Sequence, residues 1–267
     1  MKNSFIFNQI KKDFLWDISY KITFFGQFAG MILTLVTFFF LSKTFELSNS
    51  PYLQNYENNY FLFSIIGIAF LDHISFFIRS SSLAIRNAQA FGYIDNIVNS
   101  NRNIFYVFLS MLLYPYIKGN LKFLIYIFFA AFFTSFELSF NKYILISFIL
   151  FISSLFFIGI AFLSCSFVLV YKQADPVNYF TNIIVTLLSG IIYPVSVLPE
   201  SIIKLSEVIP STHSLEIIRM IIFSNKINLE TNAVYSIFIA ILIMLFSIVV
   251  FRIAINKVKR DGSSGKY

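Results

Sequence analysis

Apolar residues in this chain come in long unbroken runs, not in short alternating stretches. Ile144–Tyr171 contains no charged residue. A run of about 20 apolar residues matches a hydrocarbon layer roughly 30 Å thick. Read this way, the pattern predicts six spans, at about 22–41, 60–77, 117–135, 144–171, 179–197 and 233–253, and one all-α membrane domain over 1–267.

Ahead of the first span, Phe5–Tyr20 is too polar to cross a bilayer. At helical spacing Phe7, Ile10, Phe14 and Ile18 share a stripe, with Asn8, Lys12 and Ser19 opposite and Asp17 at its border. Residues 1–21 therefore predict an amphipathic helix lying in the headgroup layer, anchored by Trp16 and Tyr20. Asp13 and Asp17, followed by a full-length span, do not suit a cleavable signal peptide. The first span carries Gly26 and Gly30, a GxxxG pair that is common by chance but lets a second helix approach.

Residues 104–133 resist a simple reading, because Pro115, Lys118, Gly119, Asn120 and Lys122 interrupt an apolar stretch. A continuous span would bury two lysines, each costing about 3 kcal/mol at the bilayer centre. The expectation is an interfacial segment near 104–117, then a third span whose early lysines snorkel. Residues 78–103 read as an exposed, partly helical segment after the second span.

Composition agrees: 58% of residues are hydrophobic and 12% charged, against about 25% charged in a soluble domain. The net charge of +7 could suggest nucleic acid in a soluble protein. Here the basic residues flank spans. Fifteen of the 20 Lys and Arg fall on the N-terminal side of the membrane and five on the other. That bias places both termini in the cytoplasm and points to membrane lipid, not nucleic acid, as the partner. The one cysteine, Cys165, lies in an apolar run and reads as a packing residue. It excludes an intrachain disulfide, and no Cys/His spacing suggests a metal site.

Candidate chemistry is sparse. Asp72 and His73 fall in the second span, where ionisable groups are costly and mark functional sites. They belong either to a transport pathway or to a water-facing end of the span. His213, Glu216 and Arg219 either bind an anionic headgroup or sugar, or pair with one another to hold short helices together; the second reading is preferred. No catalytic set stands out. The tail GSSGK is not a phosphate-binding loop, since its glycines are too close and Tyr267 follows Lys266. No cofactor is expected on this chain.

Residues 187–219 are the most specific stretch. They read LLSGIIYPVSVLPESIIKLSEVIPSTHSLEIIR. Gly190 and Pro194 interrupt the fifth span, because proline lacks an N–H and clashes one turn back. Pro199 and Pro210 then delimit two short segments, the first half-buried by its pattern, the second with Ser211 or Thr212 as N-cap. The set Ser189, Gly190, Tyr193, Pro194, Leu198, Pro199, Pro210 and Arg219 closely resembles the signature of ABC type-2 exporter permeases. The resemblance implies six transmembrane helices, an N-terminal interfacial amphipathic helix, and a re-entrant pair of short helices between spans five and six. Broken helices at membrane depth must be covered by protein or line a cavity, which puts Gly190, Tyr193, Pro194, Pro199, Pro210 and Arg219 in a candidate pathway. Residues 79–102 become a candidate docking segment for a separate ABC ATP-binding subunit, with Arg79, Arg86, Gly92 and Asp95 as its markers. Gly92-Tyr93-Ile94-Asp95 departs from the Gly-Thr-Leu-Glu-like patch of many relatives in lacking the threonine.

The family frame implies a homodimer or pseudo-dimer of permeases in the cell membrane. ATP on the partner subunit would drive export of a lipophilic, lipid or polysaccharide-type substrate. The alternatives are a membrane-embedded lipid-modifying enzyme, which Asp72 and His73 support only thinly, and a structural membrane subunit without transport.

Overall fold

The computed structural model describes residues 2–46, 51–98, 103–134, 139–172, 175–224 and 231–261. Arg102, Lys226 and the tail 262–267 lie outside the described residues. Ten α-helices account for nearly all of the described chain. They are α1 Lys2–Ser19, α2 Lys21–Glu46, α3 Tyr60–Ala90, α4 Ile94–Val98, α5 Ile104–Thr134, α6 Phe140–Tyr171, α7 Pro176–Leu188, α8 Glu200–Val208, α9 Pro210–Phe223 and α10 Thr231–Asp261. Five of them, α2, α3, α5, α6 and α10, are long and apolar enough to cross a membrane.

Helix α3 is the axis of the bundle, packed by α2, α5, α6, α7 and α9. Phe61–Gly67 is buried on every side, as expected of a helix that is apolar all round. Its start is fixed by Asn59, whose side chain accepts the Leu62 N–H at 2.9 Å. Just past its end, Gly92 takes φ +72°, a left-handed conformation that suits glycine. Phe61, Phe70, Phe123, Ile127, Leu150 and Phe157 interlock in the main core. A second cluster joins Ile85 and Ala88 to α6 and to Phe251 of α10.

Several helices outrun the sequence expectation, α2 to Glu46 and α10 to Asp261 among them, and three differences change the architecture. First, α3 does not stop at 77 but continues to Ala90. Ile78, Ile85 and Ala88 extend its buried face, and the Gln89 amide donates to the Leu169 carbonyl at 3.1 Å. Arg79 and Arg86 hang off the opposite, exposed side.

Second, residues 104–117 are not a separate interfacial segment. They form one continuous helix with 118–134, carried through Pro115. The two lysines that argued against continuity are each met by a carboxylate, Lys118 by Asp17 of α1 and Lys122 by Asp72 of α3. A charge in an apolar setting is tolerated when paired.

Third, the expected fifth span at 179–197 is helical only to Leu188. At 1.5 Å per residue, the 13-residue α7 is about 20 Å long, and the remainder is irregular except for a 3-10 turn at Val195–Val197. Gly26 and Gly30 face open space, with no atom within 4 Å of where a Cβ would stand. Among the described residues, their GxxxG surface packs against no other helix.

Helix α1 runs beside the first half of α5, parallel and in register. Phe5 stacks on Tyr106, Phe14 meets Tyr114 edge-on, and Asp17 accepts from Tyr114 at 2.6 Å as well as pairing with Lys118. The half-buried seam of α1 is Ile6, Ile10, Asp13 and Asp17, so Ile10 leaves the predicted stripe while Phe7 and Ile18 stay exposed.

Candidate functional site at the broken helix

The break after α7 is written into its sequence. Asp175 caps the start, accepting the Asn178 N–H at 3.0 Å, and Pro176 occupies the first turn, where a missing N–H costs nothing. The end comes at Ser189, whose N–H reaches back to Val185 at 2.9 Å. Gly190 then turns left-handed at φ +70°, and a Cβ there would lie 2.9 Å from the Val195 side chain. Pro194 cannot donate a backbone hydrogen bond. Pro199 sets the entry to α8, and Pro210 is the first residue of α9.

A broken helix leaves carbonyls without partners, and these must be satisfied away from water. Two side chains of the signature do this. The Tyr193 hydroxyl donates to Leu187 O at 2.8 Å. Arg219 Nη2 donates to Ile191 O in the irregular segment and to Phe63 O in α3, both at 3.2 Å. The Arg219 side chain is 1% exposed. Its guanidinium lies 3.6 Å from the centroid of the Phe63 ring, close enough for a desolvated cation–π contact. Ser189 and Ser211 add a buried hydroxyl contact of 2.6 Å between the break and α9. Arg219 thus ties α9, the break and α3 together from inside the protein.

Gly67 makes this junction possible. A Cβ at that position would stand 2.0 Å from Ile191 O and 3.0 Å from Arg219 Nη2. The sequence signature named Arg219, Tyr193 and Ser189 but neither Gly67 nor Phe63. Their only sequence signal is a lone glycine in the middle of an apolar run.

The predicted grouping of His213, Glu216 and Arg219 resolves into three separate attachments. His213 Nε2 is 2.7 Å from Glu207 O, which closes the turn between α8 and α9. Glu216 accepts the Tyr56 hydroxyl at 2.9 and 3.1 Å. Burial, and then the neighbouring Glu216 carboxylate, push the Tyr56 phenol well up, so it keeps its proton and serves as donor. Tyr56 also packs on Phe63 and Phe223, pinning the Pro51–Tyr56 turn over the Arg219 junction.

Asp72 and His73 lie about one and a half turns along α3 from Gly67. Asp72 pairs with Lys122. His73 is 3% exposed and packs edge-on to Tyr116. Gly119 leaves room for it: a Cβ there would be 2.8 Å from Nδ1. One turn further on, Ser75 donates to Asn182 and links α3 to α7. Among the described residues, no group of three or more His, Cys, Asp or Glu could hold a metal ion.

Arg79 and Arg86, two turns apart on α3, are exposed, as is Gly92 just past the helix end. Asp95 follows in the first turn of α4. Trp16 of α1 meets Phe91 at 6.1 Å, so α1 borders this corner.

Comparison with curated proteins gives no match. Residues 10–223, from within α1 to the end of α9, match the ABC-2 type transporter family. That stretch contains four of the five long apolar helices, the broken helix and the Arg219 junction. The chain is a multi-pass membrane protein that belongs to the ABC-2 type transporter family, and with it a permease subunit of an ABC system.

Proposed function

We propose that this permease works as a pair, each copy docked to an ABC ATP-binding subunit, and exports a lipophilic or lipid- or polysaccharide-type substrate across the cell membrane. Both termini then lie in the cytoplasm, and the α8–α9 pair is the re-entrant element on the far side. The observation that carries the reading is the α7 break, with its carbonyls taken up by Tyr193 and Arg219 beside the central helix. A half-helix at membrane depth costs free energy unless protein or a cavity covers it, and one anchored to α3 can shift with it. Gly190, Tyr193, Pro194, Pro199 and Pro210 shape that element, while Arg219 positions it. The apolar character of the bundle favours a lipophilic cargo.

The chain needs no cofactor of its own in this scheme. ATP is bound by the partner, which docks on the corner formed by Arg79, Arg86, Gly92 and Asp95. Nucleotide binding favours one of two bundle arrangements through differential contacts at that corner. Engagement of Asp72 by Lys122 weighs against an acid–base role for it in an enzyme.

The test is purification in mild detergent with Arg86→Cys, in a Cys165→Ala background, carrying a thiol crosslinker. Capture of an ATPase with a phosphate-binding loop, whose turnover changes when the permease is present, supports the reading. A chain that purifies alone, under conditions that keep comparable complexes intact, removes the motor and with it the proposal.

A further inference from the structure

Between α2 and α3 the backbone makes a turn that its side chains do not favour. The Asn59 N–H donates to Tyr56 O at 2.9 Å and closes four residues, whose central pair, Glu57 and Asn58, takes φ +54° and +53°. A positive φ at both central positions is the mark of a type I′ turn, which glycine and asparagine adopt readily and glutamate does not. Such a conformation persists only where its surroundings hold it.

The holding contacts are few. Pro51–Tyr56 is a short 3-10 helix, and the Asn58 N–H donates to Leu53 O at 3.0 Å. Within residues 51–58, Leu53 is buried beside Tyr60 and Phe63, Tyr56 is half-buried, and the other six residues are exposed. Tyr56 makes the attachment to α9. Its hydroxyl donates to the Glu216 carboxylate, and its ring packs on Phe63 and Phe223. The same ring lies 5.8 Å from the Arg219 guanidinium, whose other neighbour is Phe63. The Glu57 carboxylate acts on Lys142, which donates to Ile222 O at 3.0 Å near the end of α9. The segment therefore covers the Arg219 junction while buried by only two of its side chains. A shift of α9 separates the Tyr56 hydroxyl from Glu216, and lifting relaxes the Glu57 backbone.

We propose that residues 51–58 are a strap over the outer end of the Arg219 junction, latched by the Tyr56 hydroxyl to Glu216 and released when the α8–α9 pair moves during transport. The side of the membrane and the transport cycle rest on the function proposed above; the latch is a property of this chain alone.

The test is thiol labelling in sealed right-side-out vesicles, with Cys165, the one native cysteine, replaced by alanine. Tyr52→Cys puts a thiol on the exposed side of the strap and Leu53→Cys on the buried side, where cysteine is an acceptable apolar substitute. A membrane-impermeant maleimide added outside should label Leu53→Cys more slowly than Tyr52→Cys by about tenfold or more. Adding Tyr56→Phe, which deletes the latch hydroxyl and keeps the ring, should speed Leu53→Cys labelling several-fold. Glu216→Ala should do the same, and the two together should do no more than either alone, because they remove one interaction. Labelling of Ser206→Cys, buried in α8, should not change. Rapid labelling of Leu53→Cys before any latch change overturns the proposal. So do indifference to both latch variants, effects of the two that multiply, and a parallel rise at Ser206→Cys, which marks general loosening. In the complex with the ATP-binding subunit, ATP with vanadate should also speed Leu53→Cys labelling; an unchanged rate overturns release during transport. Failure of the underlying reading looks different. Then no ATP-binding subunit is recovered, or Tyr52→Cys is reached only from the inside, while the latch variants still decide whether the strap is held as proposed.

Discussion

Two glycines, Gly67 and Gly119, decide how closely helices approach the centre of this molecule, and each is paired with a side chain far away in the sequence. Gly67→Ala drives a methyl into Ile191 O and crowds Arg219. Neither backbone nor a buried guanidinium yields easily, so destabilisation of about 1–3 kcal/mol is expected, read as a lower unfolding temperature in detergent. Gly119→Ala meets the His73 ring instead, which is a side chain and can be removed. The His73→Ala/Gly119→Ala double variant should regain most of the stability lost by Gly119→Ala alone. Independent losses would show that the two do not touch. The signature made Arg219 legible in the sequence, but its burial and its two carbonyl partners were not. Those depend on Phe63 and Ile191 arriving from other parts of the chain, and no local pattern carries that information. His73 and Asp72 were recognisable as costly residues in a span. That one would be paired and the other enclosed is likewise a matter of tertiary neighbours.

At the scale of elements, hydropathy located every long helix and misplaced the joins. Lys118 and Lys122, lone charges as far as the local sequence shows, divide residues 104–134 in a hydropathy reading. Asp17 and Asp72, far away in the sequence, cancel that cost and let one helix run through. The α1–α5 contact can be tested as a cycle. Asp17→Asn or Lys118→Met alone strands a partly buried charge and should cost roughly 3 kcal/mol. The double variant should recover more than half of the sum, because the two effects share one interaction. Additive losses in thermal unfolding would mean that the pair contributes nothing jointly. The end of α7 was foreseeable from Gly190 and Pro194, but the expected span ran on to 197. A window of apolar residues reads a broken segment and a continuous helix alike.

For the whole molecule, an all-α membrane bundle with a broken helix late in the chain was legible from hydropathy and the Gly190–Pro194 stretch, and the architecture agrees. Hydropathy could not tell a sixth full span from a 13-residue half-helix followed by irregular chain. The proposed docking corner offers a test at this scale. Gly92 holds φ +72° in an exposed turn, a conformation that a β-branched residue strongly resists. Gly92→Val should leave membrane insertion intact and weaken stimulation of the partner ATPase severalfold; unchanged stimulation would place the contact elsewhere. The Arg219 junction has a further consequence, for the order in which the protein is made. Phe63 and Gly67 leave the ribosome long before Ile191, and Ile191 before Arg219. Until residue 219 is synthesised, the half-helix has no internal donor for Ile191 O and no firm hold on α3. The nascent chain therefore enters the bilayer with its central helix already placed and a provisional element beside it. Closure of the bundle at this junction therefore waits for the synthesis of Arg219.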